Sequence, residues 1–202
     1  MLPKSFQQRV LEYRIKKDRK VKQSTIEEFQ KKYGYNVLIE TGTFLGDMVE
    51  TQRNNFKRIF SIELQYDLAE KARERFKDMG HIKILQGDSG KLLKTILTEV
   101  KEPAIFWLDA HYSNTVRIDN ELIETAKTEK ETPIMEELAI ILSEGLKKNV
   151  ILIDDARCFK GENDYPTIKA LKDFLKRKGI IAMQQIKIKN DIIRITPMNK
   201  QD

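Results

Sequence analysis

Val37-Leu38-Ile39-Glu40-Thr41-Gly42-Thr43-Phe44-Leu45-Gly46 sets the architecture of everything around it. Val37 to Ile39, ending at Glu40, reads as a buried strand. A Thr-Gly-Thr turn follows, and Gly46 stands close to the start of a helix. A strand running through a tight glycine turn into a helix makes a crevice of nucleotide size. Dinucleotide sites use G-x-G-x-x-G so that backbone amides can approach a pyrophosphate. Counted from Gly42, the second and third glycine positions here hold Phe44 and Asp47. Phe44 blocks close approach, and Asp47 puts a negative charge where an anion would bind. The loop therefore suits a ligand without phosphates, and Glu40 favours a cationic one. S-adenosylmethionine, with its adenosine, sulfonium and amino-acid tail, is such a ligand. A plain strand-turn-helix would also satisfy this stretch taken alone.

On either side of it the chain alternates strand and helix. Ser24-Thr25-Ile26-Glu27 resembles a capping box and predicts a helix start, with the helix ending near Gly34. Helices are expected at 47–54, 67–79, 91–97, from Pro133 to about Gly145, and from Pro166 to Gly179. Strands are expected at 59–62, 82–85, 104–108 and 150–153. Runs at 180–187 and 192–196 around a Lys-Asn-Asp turn predict an antiparallel hairpin. The fold class is thus α/β: a doubly wound, mostly parallel sheet with helices on both faces. Residues 111–131 are expected to form a long polar loop, of the kind that serves as a functional lid or stays disordered.

The 202 residues suffice for one such domain, residues 36–202, preceded by a basic helical arm at 1–35. The net charge is +6. Residues 1–32 hold ten Lys or Arg against four Asp or Glu, and the remainder holds 27 of each, so the surplus lies in the arm. Phe6, Val10, Tyr13 and Lys17 follow helical spacing and suit one narrow docking stripe. Such an arm can contact nucleic acid, an anionic surface, an acidic partner or a second copy, or it can be a solvated face. No apolar run is long enough to span a membrane. One cysteine, Cys158, cannot form an internal disulfide and is read as packing; a reducing, cytoplasmic setting is expected. Trp107 is read as core.

Ligands of doubly wound sheets bind beyond the carboxyl ends of the strands. This chain places Glu40, Glu63, Asp109 and the Asp154-Asp155 pair at such ends. Glu63, 21 residues after Gly42, can accept from both hydroxyls of a ribose. Asp88, between Gly87 and Ser89, either accepts from an adenine amino group or caps the next helix. Asp109, Asp154 and Asp155 repel one another unless a cation lies among them, and hard oxygen ligands suit Mg²⁺ or another divalent ion. Alternatively Asp109 touches only cofactor or substrate and the Asp pair caps a helix. His111, at the crevice mouth, is a candidate general base or a polar loop residue.

These residues resemble the class I S-adenosylmethionine-dependent methyltransferases over roughly residues 35–198. Glu40 to Gly46 looks like the first motif of that class, with Thr43 where glycine is common. Glu63 matches its ribose-binding acid, and Gly87-Asp88-Ser89 its adenine-side turn. The resemblance implies a seven-stranded, Rossmann-like sheet whose last strand is antiparallel, with cofactor contacts from Glu40, Thr41, Gly42, Thr43, Gly46, Glu63, Gly87, Asp88, Ser89 and Asp109. Phe106 to Ser113 and Ile151 to Arg157 are similar to the metal-dependent sugar and catechol O-methyltransferases. That implies a metal on Asp109, Asp154 and Asp155 and a small hydroxylated acceptor such as a saccharide. The lysine base of the catechol enzymes falls on Tyr112, which leaves His111, with Asp109, as the catalytic candidates. Two further readings stay open: a metal-independent methyltransferase acting on RNA or protein through the basic arm, and a cofactor-binding protein without catalysis.

Overall fold

A computed structural model describes residues 6–112, 115–118, 121–124, 126, 130–143, 148–180 and 184–198. In chain order the elements are α1 (Phe6–Tyr33), β1 (Val37–Thr41), α2 (Asp47–Gln52), β2 (Arg58–Glu63), α3 (Tyr66–Phe76), β3 (Ile82–Gln86), α4 (Ser89–Glu99), β4 (Ile105–Leu108), β5 (Thr115–Ile118), β6 (Glu121–Glu124), α5 (Ile134–Ser143), β7 (Val150–Ile153), α6 (Ile168–Arg177), β8 (Gln184–Lys189) and β9 (Ile192–Pro197). Seven strands form one sheet in the order β3-β2-β1-β4-β7-β9-β8. The first five of these are mutually parallel; β9 runs antiparallel to both β7 and β8. This is the α/β sheet expected above, hairpin included.

Side chains of a strand alternate between faces, and each face here has its own helices. Val37 and Ile39 join a cluster with Leu93 and Leu97 of α4, Leu138 of α5 and Leu171 of α6. Leu38 faces the other way, with Ile26 and Phe29 of α1, Val49 of α2 and Ala72 and Phe76 of α3. Strands covered on both sides are largely apolar, which is why β4, β7 and Val37 to Ile39 of β1 read as unbroken hydrophobic runs. Trp107 is core, as expected.

Two expectations change. The Ser24-Thr25 capping box starts no helix. Both hydroxyls bond back to the carbonyl of Val21, at 3.0 and 2.8 Å, inside the single 28-residue α1. No glycine or proline interrupts 6–33, so the helix runs through the box. It stops at Gly34, whose φ of +67° closes the last turn onto Gln30. The second change lies in the 111–131 connection, which carries the antiparallel pair β5–β6, Val116 opposite Ile123. Strand alternation in so short a stretch is a weak signal beside its Thr, Asn and Glu content. Ser113 of the quoted motif, the expected helix end at Gly145, and positions 181–183 of the expected strand lie outside the described residues. So do the side chains of Phe6 and Val10.

Candidate active site at the carboxyl edge of the sheet

The β1–β4 junction is where strand order reverses, and the register brings the acidic ends into line there. Thr41 pairs with Ile62 on one side and Leu108 on the other, and Leu108 pairs with Ile153. The next residues, Gly42, Glu63 and Asp109, border a single crevice, and Asp154 lies beside it at the end of β7.

The glycine loop forms one wall. Gly42 and Thr43 both donate to the carbonyl of Ile62, at 2.9 and 3.2 Å. Gly42 has φ +85°, and a Cβ on it would lie 2.6 Å from the Asp109 carbonyl oxygen. Only glycine lets the β1 and β4 loops touch. A Cβ at Gly46 would meet the Phe76 ring at 2.8 Å. Phe44 takes the left-handed conformation at φ +50°, unusual for a bulky residue, and its amide donates to Glu63 Oε2 at 2.7 Å. The Gln65 amide donates to Glu63 Oε1 at 2.9 Å. Burial pushes the Glu63 carboxyl up, while these backbone bonds pull it down. Both oxygens are thus fixed, with lone pairs left for a ligand.

Glu40 behaves differently from expectation. It is buried beneath the loop and does not line the cavity. Ser61 Oγ donates to its carboxyl at 2.5 Å, and Thr43 Oγ1 lies 2.5 Å from Ser61 Oγ. Burial raises its pKa to about 8, Ser61 offsets part of that, and the nearby Asp109 and Glu63 add to it. Thr41 is fully buried too. On the opposite wall Asp88 caps α4, accepting from Gly90 N at 2.9 Å, and still reaches the cavity. Ser89 donates to Glu137 Oε1 at 2.6 Å. Glu137 of α5 is buried, which lifts its carboxyl to about 7; the bond from Ser89 opposes the rise.

The cavity between these walls has a volume of about 210 Å³. Gly42, Phe44, Glu63, Gly87, Asp88 and Ser89 line one end, Asp109 and His111 the other, and Tyr112, Ala126, Lys130 and Glu131 of the β4–α5 connection border it.

At the Asp109 end, one ligating atom each from Asp109, His111 and Asp155 lies within 4.8 Å of the others. His111 Nδ1 is 3.2 Å from Asp109 Oδ1, and Nε2 is 3.5 Å from Asp155 Oδ2. Burial lowers the imidazole pKa, but Asp109 and then Asp155 and Asp154 outweigh it, and the net direction is upward. Asp155 has φ +55° and ψ +47°, a strained conformation for a non-glycine residue that turns its carboxylate toward His111. Arg157 also pairs with it, at 2.6 Å.

Asp154 is not in this cluster. Strand alternation puts it on the α1 face with Val150 and Leu152, and Lys22 Nζ of α1 meets its Oδ2 at 2.5 Å. Burial, Asp109 and Asp155 push the Asp154 carboxyl up and Lys22 pulls it back. Burial alone would discharge Lys22; Asp154 and Asp109 prevail and keep it an ammonium. The expected trio is therefore split: Asp109 and Asp155 converge with His111, while Asp154 is held by Lys22. Nothing local marks Lys22, one of many lysines in a solvated-looking helix, or Glu137, one glutamate among several.

No family model matches the sequence, and no curated protein matches it. Solved structures do. An O-methyltransferase from Bacillus cereus in complex with S-adenosylhomocysteine superposes with a TM-score of 0.58 at 14% identity, over 97% of this chain and 93% of that one. The S-adenosylhomocysteine-bound methyltransferase PaMTH1 of Podospora anserina gives 0.57 at 16%, over 88% and 78%. The O-methyltransferase TomG of Streptomyces achromogenes, in complex with S-adenosylmethionine, gives 0.56 at 13%, over 88% and 79%. At such identities the likeness is one of fold, and that fold is the Rossmann-like one of the class I S-adenosylmethionine-dependent methyltransferases.

Proposed function

We propose that this chain is an S-adenosylmethionine-dependent methyltransferase that methylates a hydroxyl of a small acceptor, such as a saccharide, beside a divalent cation. The observation that carries the reading is one cavity with a backbone-anchored carboxylate, Glu63, at one end and the Asp109-His111-Asp155 cluster at the other.

The residues fit the cofactor. Gly42 lets the loop after β1 close onto the Asp109 backbone at the cavity wall, and Glu63 presents oxygens whose orientation two amides have already set. Glu63 would accept from the ribose hydroxyls. Asp88 and Ser89 would meet the adenine, Ser89 as acceptor because its proton is committed to Glu137. S-adenosylmethionine supplies a methyl group on a sulfonium, open to in-line attack by an oxygen.

The cluster fits a cation as well. Two carboxylates and an imidazole converge, Asp109 Oδ1 facing His111 and Asp155 Oδ1 facing Arg157. One imidazole beside two carboxylates suits Mn²⁺ or Zn²⁺ as well as the Mg²⁺ expected of an all-oxygen set. A cation there would orient the acceptor hydroxyl and lower its pKa. His111, gripped by two aspartates that favour its protonated form, is better placed as ligand or positioner than as free base. The β4–α5 connection, with Tyr112, Lys130 and Glu131 at the cavity, would restrict water around the acceptor.

Calorimetric titration with S-adenosylhomocysteine tests the donor half. The parent should bind with micromolar affinity, and Gly42→Ala should lose at least about tenfold, since its Cβ has no room. No binding by the parent removes the reading. For the acceptor half, turnover of hydroxylated sugars should cease in EDTA and return with Mn²⁺ or Mg²⁺; full turnover in EDTA removes the cation. A second reading, methylation of RNA, is favoured by one observation: Arg14, Lys16, Lys17, Arg19 and Lys20 are all exposed on the part of α1 that precedes the site. It requires salt-sensitive RNA binding, each phosphate contact steepening the slope by about 0.7 to 0.9.

A further inference from the structure

We propose that Lys22 is a positioning residue that occupies Asp154 and thereby leaves the divalent cation to Asp109, His111 and Asp155; the inference rests on the metal-assisted reading above.

Lys22, Ile26, Phe29 and Tyr33 are spaced i, i+4, i+7 and i+11, one stripe of α1. Ile26 and Phe29 are buried against the sheet, and Tyr33 packs at the edge of the same cluster. Lys22 is the last member of that stripe toward the carboxyl edge, where apolar partners end and Asp154 begins. Alternation along β7 directs Asp154 to the same face, so the 2.5 Å contact follows from two periodicities and not from a chance surface pairing. Asp155 leaves the strand in the left-handed conformation and faces His111. Two adjacent acids, alike in sequence, thus take different partners. Asp154 is 3% exposed, and a carboxylate so buried needs a cation. Without Lys22 the available cation would be the metal, and Asp154 would compete for it.

The test uses the full chain and Mn²⁺ alone, titrated by loss of the free-ion paramagnetic resonance signal, with thermal unfolding alongside. The parent should bind one Mn²⁺, and Asp155→Asn should lose it. Asp154→Asn removes no ligand but leaves Lys22 unpaired near the cation, so it should weaken binding only about tenfold and not abolish it. Lys22→Met frees a buried anion near the cation and should tighten binding about tenfold or more, in line with the loss of one nearby positive charge. The double variant Lys22→Met/Asp154→Asn, neutral on both sides, should return to the parent value, and it stands in if Lys22→Met alone does not fold. Loss of Mn²⁺ in Asp154→Asn as complete as in Asp155→Asn overturns the proposal and leaves the metal reading intact. So does a Lys22→Met protein that is merely less stable, with its Kd unchanged. A parent that binds no Mn²⁺ overturns the metal reading first, and this inference with it.

Discussion

Burial of Glu40 places a proton on the strand that carries the glycine loop. The carboxyl titrates near 4.5 in an unfolded chain and near 8 in the fold. Its folded pKa is raised, so its stabilising effect is complete below about pH 4.5 and is lost as pH rises through 8. Glu137 adds a similar loss ending near pH 7. Glu40→Gln keeps an acceptor for Ser61 and removes the titration. It should flatten the decline in stability between pH 5 and 8 and gain roughly 2–4 kcal/mol at pH 8. Denaturant unfolding of both proteins across that range measures this; parallel curves would mean that Glu40 is ionised in the fold. Glu40, expected to favour a cationic ligand, lies under the loop bonded to Ser61, which in turn meets Thr43, and does not line the cavity.

At the level of elements, α1 is divided by the sheet it crosses. Ile26 has no exposed surface, whereas Ile15, three turns earlier, is 46% exposed. Ile26→Ala should cost about 2–4 kcal/mol and Ile15→Ala less than about 0.5. Chemical denaturation of the two variants checks the contrast; equal costs would place the first half of α1 against the body as well. The same helix shows what sequence can and cannot reveal. The strands were legible because burial on both faces leaves runs such as Val150 to Ile153 without a polar residue, and the glycine loop because Gly42 and Gly87 must adopt positive φ. The acids at strand ends were legible for the same reason, as the first polar letters after such runs. What could not be read is which way each acid turns. That depends on a lysine far away in the chain for Asp154, and on a backbone twist for Asp155. Capping-box letters in α1 failed because a local motif yields when nothing before it breaks the helix. The β5–β6 pair went unread because four-residue strands carry too little alternation.

Across the whole molecule, the two faces of the sheet hold separate apolar clusters joined only through the strands. Trp107, the one tryptophan, is buried on the face that α1 covers. If α1 is integral to that core, thermal unfolding followed by Trp107 fluorescence and by helical circular dichroism should share one midpoint. An early fluorescence change would show α1 detaching before the sheet melts. The site depends on the same unity, since both layers hold its acids: Lys22 of α1 pairs with Asp154, and Glu137 of α5 buttresses Ser89.

A helix turns by about 100° per residue, and this bears on how the chain can change length. Substitutions along the outer half of α1 touch little. One residue inserted or deleted between Lys22 and Ile26 would swing the ammonium away from Asp154 while leaving the apolar anchors seated. Segments related to this chain should therefore vary freely in letters before residue 22 and in length before it, yet keep a fixed count of residues from the lysine to the first buried isoleucine.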